Sequence, residues 1–179
     1  MNDSNVVFMR PDILTRGGTY FDFLTPRKSV ITIEDIAHGL SNVCRFAGHT
    51  KFFYSVAQHC YHVSYLVPPE YAFEGLMHDA HEAYVGDMPT PLKRLLPEYA
   101  EIEHRCEDAV LAAFGLERPL HRSVKRADLI MLATEQRDLL PPHDDEWALL
   151  RGIEPLKDEI HPWSPDEAKR AFLARFHEL

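Results

Sequence analysis

The sequence has few cysteines, no long apolar run and no excess of positive charge. Its three cysteines, Cys44, Cys60 and Cys106, include no CxxC pair and cannot all be joined, which argues against a disulfide framework. No apolar segment approaches the ~20 residues that a membrane span needs, and no signal peptide is recognisable near the N-terminus. The net charge of −9 argues against general binding to nucleic-acid backbones or anionic membranes. We therefore expect a cytoplasmic protein whose partners include neither a nucleic-acid polymer nor a membrane.

The composition is that of an ordinary globular protein, with 45% hydrophobic and 26% charged residues among 179. A chain of this length can form one compact domain with a sizeable core. We predict an all-α fold in which one domain spans residues 1–179, with its core at about 33–140 and a C-terminal helix at about 165–178. The only strand signal is the aromatic and polar alternation at Thr19–Leu24, which favours a short strand or hairpin.

The spacing of apolar residues, together with capping and stop signals, predicts the helices of this fold. Ser55 and Ser164 are suitable N-caps, and Pro97 suits the first position of a helix. The predicted helices are Ile33–Val43, one following Ser55 and ending before Pro68, a central helix at about Glu70–Val85, a short one at Leu92–Leu96, one beginning at Pro97 and ending at Gly115, Ser123–Leu140, and the C-terminal helix.

The central helix carries the most informative group of polar residues. His78 and Asp79 are adjacent, and Glu82 lies three to four residues further on, so all three project from one side of the helix. The surrounding segment is apolar enough to be buried, and buried acids and imidazoles are costly unless a partner or a metal compensates them. This pattern indicates a site for a metal ion.

Other predicted helices supply matching ligands. His59 stands in the first turn of its helix, and Asp128 stands early in the helix that begins near Ser123. Two imidazoles and two carboxylates, from His59, His78, Asp79 and Asp128, suit one divalent transition ion such as Mn²⁺, Co²⁺, Fe²⁺, Ni²⁺ or Zn²⁺ better than Ca²⁺. A structural zinc site would use thiolates, and no cysteine spacing supports one.

The order His59, His78-Asp79, Asp128 resembles the HD superfamily of metal-dependent phosphohydrolases. The resemblance covers about residues 45–139. Within this superfamily, the sequence most resembles the compact bacterial 5′-deoxyribonucleotidases and the related phage deoxynucleotide phosphohydrolases. The segments that carry it are Ser55–His59, His78–Glu82, Gly86–Lys93 and Lys125–Asp128.

The resemblance implies roles for further residues. Glu82 would orient or deprotonate the attacking water, and Asp87 would contact the sugar side or protonate the leaving oxygen. Arg45 would bind phosphate, whereas Lys93 and Lys125 resemble the phosphate-holding lysines of triphosphate-cleaving relatives.

Two features depart from the pattern. Phe46 stands where the deoxyribonucleotidases carry a Trp, which affects ribose-versus-deoxyribose selection. The connection from His59 to His78 is shorter than in those relatives, which affects the interface of the homo-oligomer that the resemblance implies.

The sequence thus favours a metal-dependent phosphohydrolase acting on a small-molecule nucleotide, a (deoxy)nucleoside 5′-monophosphate. The alternatives are a deoxynucleoside triphosphate triphosphohydrolase and a non-catalytic sensor of nucleotide or metal. Of the remaining polar residues, we assign a packing or hydrogen-bonding role to His62. His81 would face either away from the partners of Glu82 or towards the pocket rim. His49 and Lys51 lie in a cationic loop near Arg45, where either could contact phosphate. Glu135 and Arg137 are interpreted as a solvent-exposed helix face.

Overall fold

The computed structural model describes residues 10–179 and confirms the predicted all-α class, with one small antiparallel pair of strands. Strand β1 (Asp12–Leu14) pairs with β2 (Tyr20–Asp22). The helices are α1 (Ile33–Asn42), α2 (Val56–Leu66), α3 (Ala72–Met77), α4 (Glu82–Val85), α5 (Thr90–Lys93), α6 (Pro97–Ala113), α7 (Arg122–Leu139) and α8 (Pro165–Glu178).

Helix α2 lies at the centre of the arrangement. On one side it packs against α1, α3 and α8 in the larger apolar core, which includes Ile36, Leu76 and Phe172. On the other side Val63 of α2 packs with Val124 and Met131 of α7 in a second apolar cluster. Burying large apolar side chains on both sides fixes the helix between its neighbours. A polar residue on α2 is thereby held against both α3 and α7.

The prediction of one continuous central helix was wrong, because residues 78–81 interrupt it between α3 and α4. The amide of Ala80 donates to the Met77 carbonyl oxygen and that of Glu82 to the Asp79 carbonyl oxygen, so the chain tightens into turns of about three residues. Residues three apart then lie in line along the axis. Glu82 and Asp79, three residues apart, therefore lie on the same side of this turn.

Helix α4 is held in place by two close contacts. The ring of Tyr84 stacks on Phe21 of β2, with ring centroids 3.9 Å apart. Gly39 of α1 lies so near α4 that a Cβ atom there would be 2.8 Å from the Ala83 carbonyl oxygen. Glycine is therefore required at this crossing of α1 and α4, and the helix that carries Glu82 has a fixed position.

Within residues 10–179, none of the helices has both the length and the apolar character needed to cross a membrane.

Candidate metal centre

Three helices bring imidazole and carboxylate groups together at one point. His59 projects from the first turn of α2, His78 follows the last residue of α3, and Asp128 lies on α7. One potential ligand atom from each of these three residues lies within 4.8 Å of the other two. The structure therefore assembles three of the four predicted ligands into a cluster that could hold a metal ion.

Each imidazole is oriented by a hydrogen bond on its Nδ1 atom. The Nδ1 of His59 lies 2.6 Å from Oε1 of Glu135, and the Nδ1 of His78 lies 2.9 Å from the Gly75 carbonyl oxygen. Because both partners are acceptors, each Nδ1 carries a proton, so Nε2 is the atom that could bind a metal ion once it has lost its own proton. Histidines that bind metals are oriented by such partners.

The Nε2 atoms of both histidines are buried and lack a hydrogen-bond partner among the described residues. That of His59 lies 3.3 Å from Oδ1 of Asp128, and that of His78 lies 3.0 Å from Oδ2 of Asp79. A lone pair facing a carboxylate oxygen is repulsive unless a cation or a proton lies between them. These orphaned atoms fit a divalent cation with the predicted ligands.

The attraction between the His78 imidazole and the Asp79 carboxylate shifts the pKa values of both groups. Burial lowers the pKa of His78, but the neighbouring Asp79 carboxylate raises it well above its ordinary value. Burial raises the pKa of Asp79, and the imidazole of His78 more than offsets this, so that the pKa falls below its ordinary value. The site thus stabilises positive charge at the position where the ligand atoms converge.

Asp79, the fourth predicted ligand, lies at the edge of the cluster. Its Oδ2 atom is 3.8 Å from Nε2 of His59 and 3.8 Å from Nη1 of Arg45. Cys60 also places its sulfur near His78 and Asp79, within 4.8 Å of their ligand atoms. Burial raises the pKa of this thiol to about 11, and only the thiolate binds metals well. The oxygen and nitrogen ligands are therefore the better set.

The two predicted catalytic carboxylates, Glu82 and Asp87, lie near enough to Asp79 for its charge to raise the pKa of both. The Oε2 atom of Glu82 is buried without a hydrogen-bond partner among the described residues. Burial raises the pKa of Glu82 well above its ordinary value, and the charges of Asp79 and Asp87 raise it further. Burial also raises the pKa of Asp87. Both groups hold a proton more readily than an exposed carboxylate does.

Arg45 lies beneath the cluster rather than on the surface. Its Nε atom donates to Oε2 of Glu135 over 3.1 Å, and the residue is buried. The two residues that follow, Phe46 and Ala47, have left-handed backbones with φ values of 55° and 51°. Such conformations are unfavourable for residues with side chains and tend to occur at functional sites. This turn sends the Arg45 side chain inward and leaves Phe46 half-buried beside it.

The interpretation of Glu135 as solvent-exposed was wrong. Its side chain is fully buried and accepts hydrogen bonds from both His59 and Arg45. The apolar contacts of α7 with α2 turn this face of the helix inward. The two hydrogen-bond donors, one of them the charged Arg45, make burial of the carboxylate tolerable. The spacing offered a signal, because Glu135 lies seven residues after Asp128 and thus on the same face of α7. Arg137 is exposed, as expected.

The two predicted phosphate-binding lysines both pair with carboxylates. Lys125 places its Nζ atom 2.7 Å from Oδ2 of Asp128, and Lys93 places its own 2.6 Å from Oε1 of Glu103. Both lysines line a cavity of about 490 Å³ that begins at the metal cluster. Arg45, Phe46 and Asp87 do not line this cavity.

The other histidines divide as follows. His62 packs against Trp163 and lies beside Gln58, which confirms its packing role. His81 is buried and lines the cavity. His49 and Lys51 are exposed, and the Lys51 ammonium donates to a carbonyl at the end of α7.

Two relatives match nearly the whole chain. The chain is 48% identical over 168 residues to "Uncharacterized protein YfdR" of Escherichia coli (strain K12), which covers 93% of the chain and 94% of the relative. It is 34% identical over 182 aligned positions to "Uncharacterized protein RCAP_rcc00048" of Rhodobacter capsulatus, with 90% and 92% covered. No protein-family profile matches the chain. The chain belongs to the same family as these two proteins.

Proposed function

We propose that this member of the YfdR family is a metal-dependent phosphohydrolase that removes phosphate from nucleoside 5′-monophosphates, with 2′-deoxynucleotides as the preferred substrates. The observation that carries the proposal is the convergence of two orphaned Nε2 atoms, from His59 and His78, on the carboxylates of Asp79 and Asp128. The nucleotide class rests on the resemblance to the HD phosphohydrolases.

His59, His78, Asp79 and Asp128 would hold the divalent ion. When bound, such an ion supplies Lewis acidity, which lowers the pKa of water and offsets charge on a phosphoryl oxygen. Histidine and carboxylate ligands suit Mn²⁺, Co²⁺, Fe²⁺, Ni²⁺ and Zn²⁺ alike, so each of these ions is a candidate.

Glu82 and Asp87 would move the protons. The buried Glu82 carboxylate, with its raised pKa, suits a group that accepts a proton from the attacking water near neutral pH. Asp87, whose pKa burial also raises, would give a proton to the leaving sugar oxygen or contact the sugar. The two carboxyl groups would work in opposite protonation states, Glu82 ionised and Asp87 protonated.

Arg45 would neutralise charge on the phosphoryl group. Its guanidinium is permanently charged, and Glu135 holds it beside the metal ligand Asp79. A preorganised cation of this kind stabilises the charge that develops on phosphoryl oxygens in the transition state.

The charges of the cavity favour a monophosphate over a triphosphate. Its lining has three permanently cationic side chains, Lys93, Arg118 and Lys125, against five carboxylates. Each of the three cations is paired with a carboxylate. A triphosphate chain carries more negative charge than a monophosphate, so the excess of carboxylates in this lining would repel it more strongly. We therefore place the triphosphohydrolase activity second.

The test is an assay of the purified protein, loaded with each candidate ion, on nucleoside 5′-mono- and triphosphates. We expect inorganic phosphate from monophosphates, and no triphosphate from triphosphates. Asp79→Ala should lose both bound metal and activity. Full metal occupancy in that variant, measured by elemental analysis, would remove Asp79 from the ligand set. Nucleotide binding without turnover under every ion would instead favour a non-catalytic sensor.

A further inference from the structure

The cavity behind the metal cluster contains a group of polar residues that the proposed mechanism does not use. It is bounded by the metal ligands, by α5 and α6, and by the segment that precedes α7. Its volume of about 490 Å³ lies in the range of small-molecule sites. Because the cavity starts at His78 and Asp79, a ligand whose phosphate lies at the metal would extend into it.

Glu103 is the centre of this polar group. Its side chain is 5% exposed, and its Oε1 atom lies 2.6 Å from Nζ of Lys93. The same oxygen lies 3.5 Å from the Tyr99 hydroxyl and 3.9 Å from Nε2 of His81. The Tyr99 hydroxyl also lies 3.3 Å from the Val85 carbonyl oxygen and 3.4 Å from that of Gly86, in the turn just before Asp87. Glu103 thus connects α6 with the segment that carries the catalytic carboxylates.

Fold stability alone does not explain this ion pair. A buried pair is often no more stabilising than apolar residues of similar size, because removing both charges from water is costly. Here both partners border an open cavity, where a ligand can reach them. Burial lowers the pKa of Lys93, while Glu103 and, at longer range, Glu82 and Asp79 raise it. Lys93 therefore stays charged in the wall of the cavity.

We propose that the Lys93–Glu103 pair is a subsite for the sugar hydroxyl of the nucleotide, an inference that rests on the proposed function. A hydroxyl both donates and accepts hydrogen bonds, so a carboxylate beside an ammonium can satisfy both of its roles. A 2′-deoxynucleoside 5′-phosphate has one free sugar hydroxyl, on C3′. The subsite would therefore recognise the 3′-hydroxyl, and His81 would complete its wall.

The first test compares a 2′-deoxynucleoside 5′-monophosphate with its 2′,3′-dideoxy counterpart, using the same base. The wild-type protein should prefer the 3′-hydroxyl substrate by about 10- to 100-fold in kcat/KM, the value of one hydrogen bond to a charged group. Glu103→Gln and Lys93→Met should each bring this ratio close to one. Glu101→Gln, an exposed position on the same helix, should leave it unchanged. A wild-type ratio near one, or an unchanged ratio in both folded variants, overturns the subsite.

A second test separates the subsite from the hydrolase proposal. Binding of the unphosphorylated deoxynucleoside and of its 3′-deoxy analogue is measured by calorimetry, with no turnover required. Discrimination that Lys93→Met abolishes supports the subsite even if no phosphate is ever released. Hydrolysis without such discrimination in either experiment overturns the subsite and leaves the proposed function intact. Absence of both binding and hydrolysis overturns the subsite as well.

Discussion

At the scale of single residues, Glu135 positions two other side chains. One carboxylate oxygen orients the imidazole of His59, and the other pairs with Nε of Arg45. A proposed metal ligand and the proposed phosphate-binding arginine are thus positioned by the same buried group. A change in this carboxylate should affect the metal site and the substrate site together.

Glu135→Gln tests this connection. An amide keeps the shape of the carboxylate but loses its charge, which leaves Arg45 buried beside a neutral group. Loss of such an orienting partner typically weakens metal affinity by about 10- to 100-fold, and breaking a buried pair costs about 3–5 kcal/mol of unfolding free energy. We expect both effects, measured by chelator competition well below the melting temperature and by denaturant unfolding. Metal affinity equal to that of the wild type would contradict the orienting role.

The residues of the metal cluster were more predictable than the group that supports them. His59, His78 and Asp128 carry distinctive chemistry in a recognisable order, and the structure brings them together. Glu135 and Glu103 resemble ordinary polar residues on exposed helix faces. Their burial depends on which helix packs against each face, and a single helical pattern does not contain that information.

At the scale of secondary-structure elements, the positions of the helix ends determine where the residues of the candidate metal site lie. The N-caps Ser55 and Ser164 are both as predicted, since local hydrogen bonds fix them, and Ser164 also forms a capping box with Glu167 at the start of α8. The break between α3 and α4 was not predicted, because the apolar spacing of the segment continues through it. The tighter turns depend instead on tertiary structure, because they arrange His78, Asp79 and Glu82 around the cluster.

Ser55 and Ser164 form a matched pair for testing the role of a helix start. Removing either hydroxyl should cost about 1 kcal/mol of unfolding free energy. Only Ser55 begins the helix whose first turn carries His59. Ser55→Ala should therefore also weaken metal affinity, by up to about fivefold, whereas Ser164→Ala should leave it unchanged. Equal metal affinities in the two variants would show that α2 stays in place without its cap.

At the scale of the whole molecule, the cavity is the feature least accessible to sequence reasoning. It forms where α5, α6 and the segment before α7 meet the metal cluster, and these parts are distant from one another along the chain. Lys93 and Lys125 were associated with phosphate by resemblance alone. Their pairing with Glu103 and Asp128 follows from the way the helices pack.

The candidate metal site also joins parts of the chain that are far apart in sequence. Ligands from α2, from the end of α3 and from α7 are brought together only when these helices are packed, so the unfolded chain offers no equivalent site. A ligand that binds only the folded state at 100 times its Kd stabilises it by about 2.7 kcal/mol. For a chain of this size, that corresponds to a rise in Tm of about 5–10 °C. Thermal melts with and without a divalent transition ion should show this rise, and a chelator should reverse it. Asp79→Ala should show a much smaller rise, because one ligand is missing. An equal rise in that variant would mean that the ion stabilises the protein from somewhere other than this cluster.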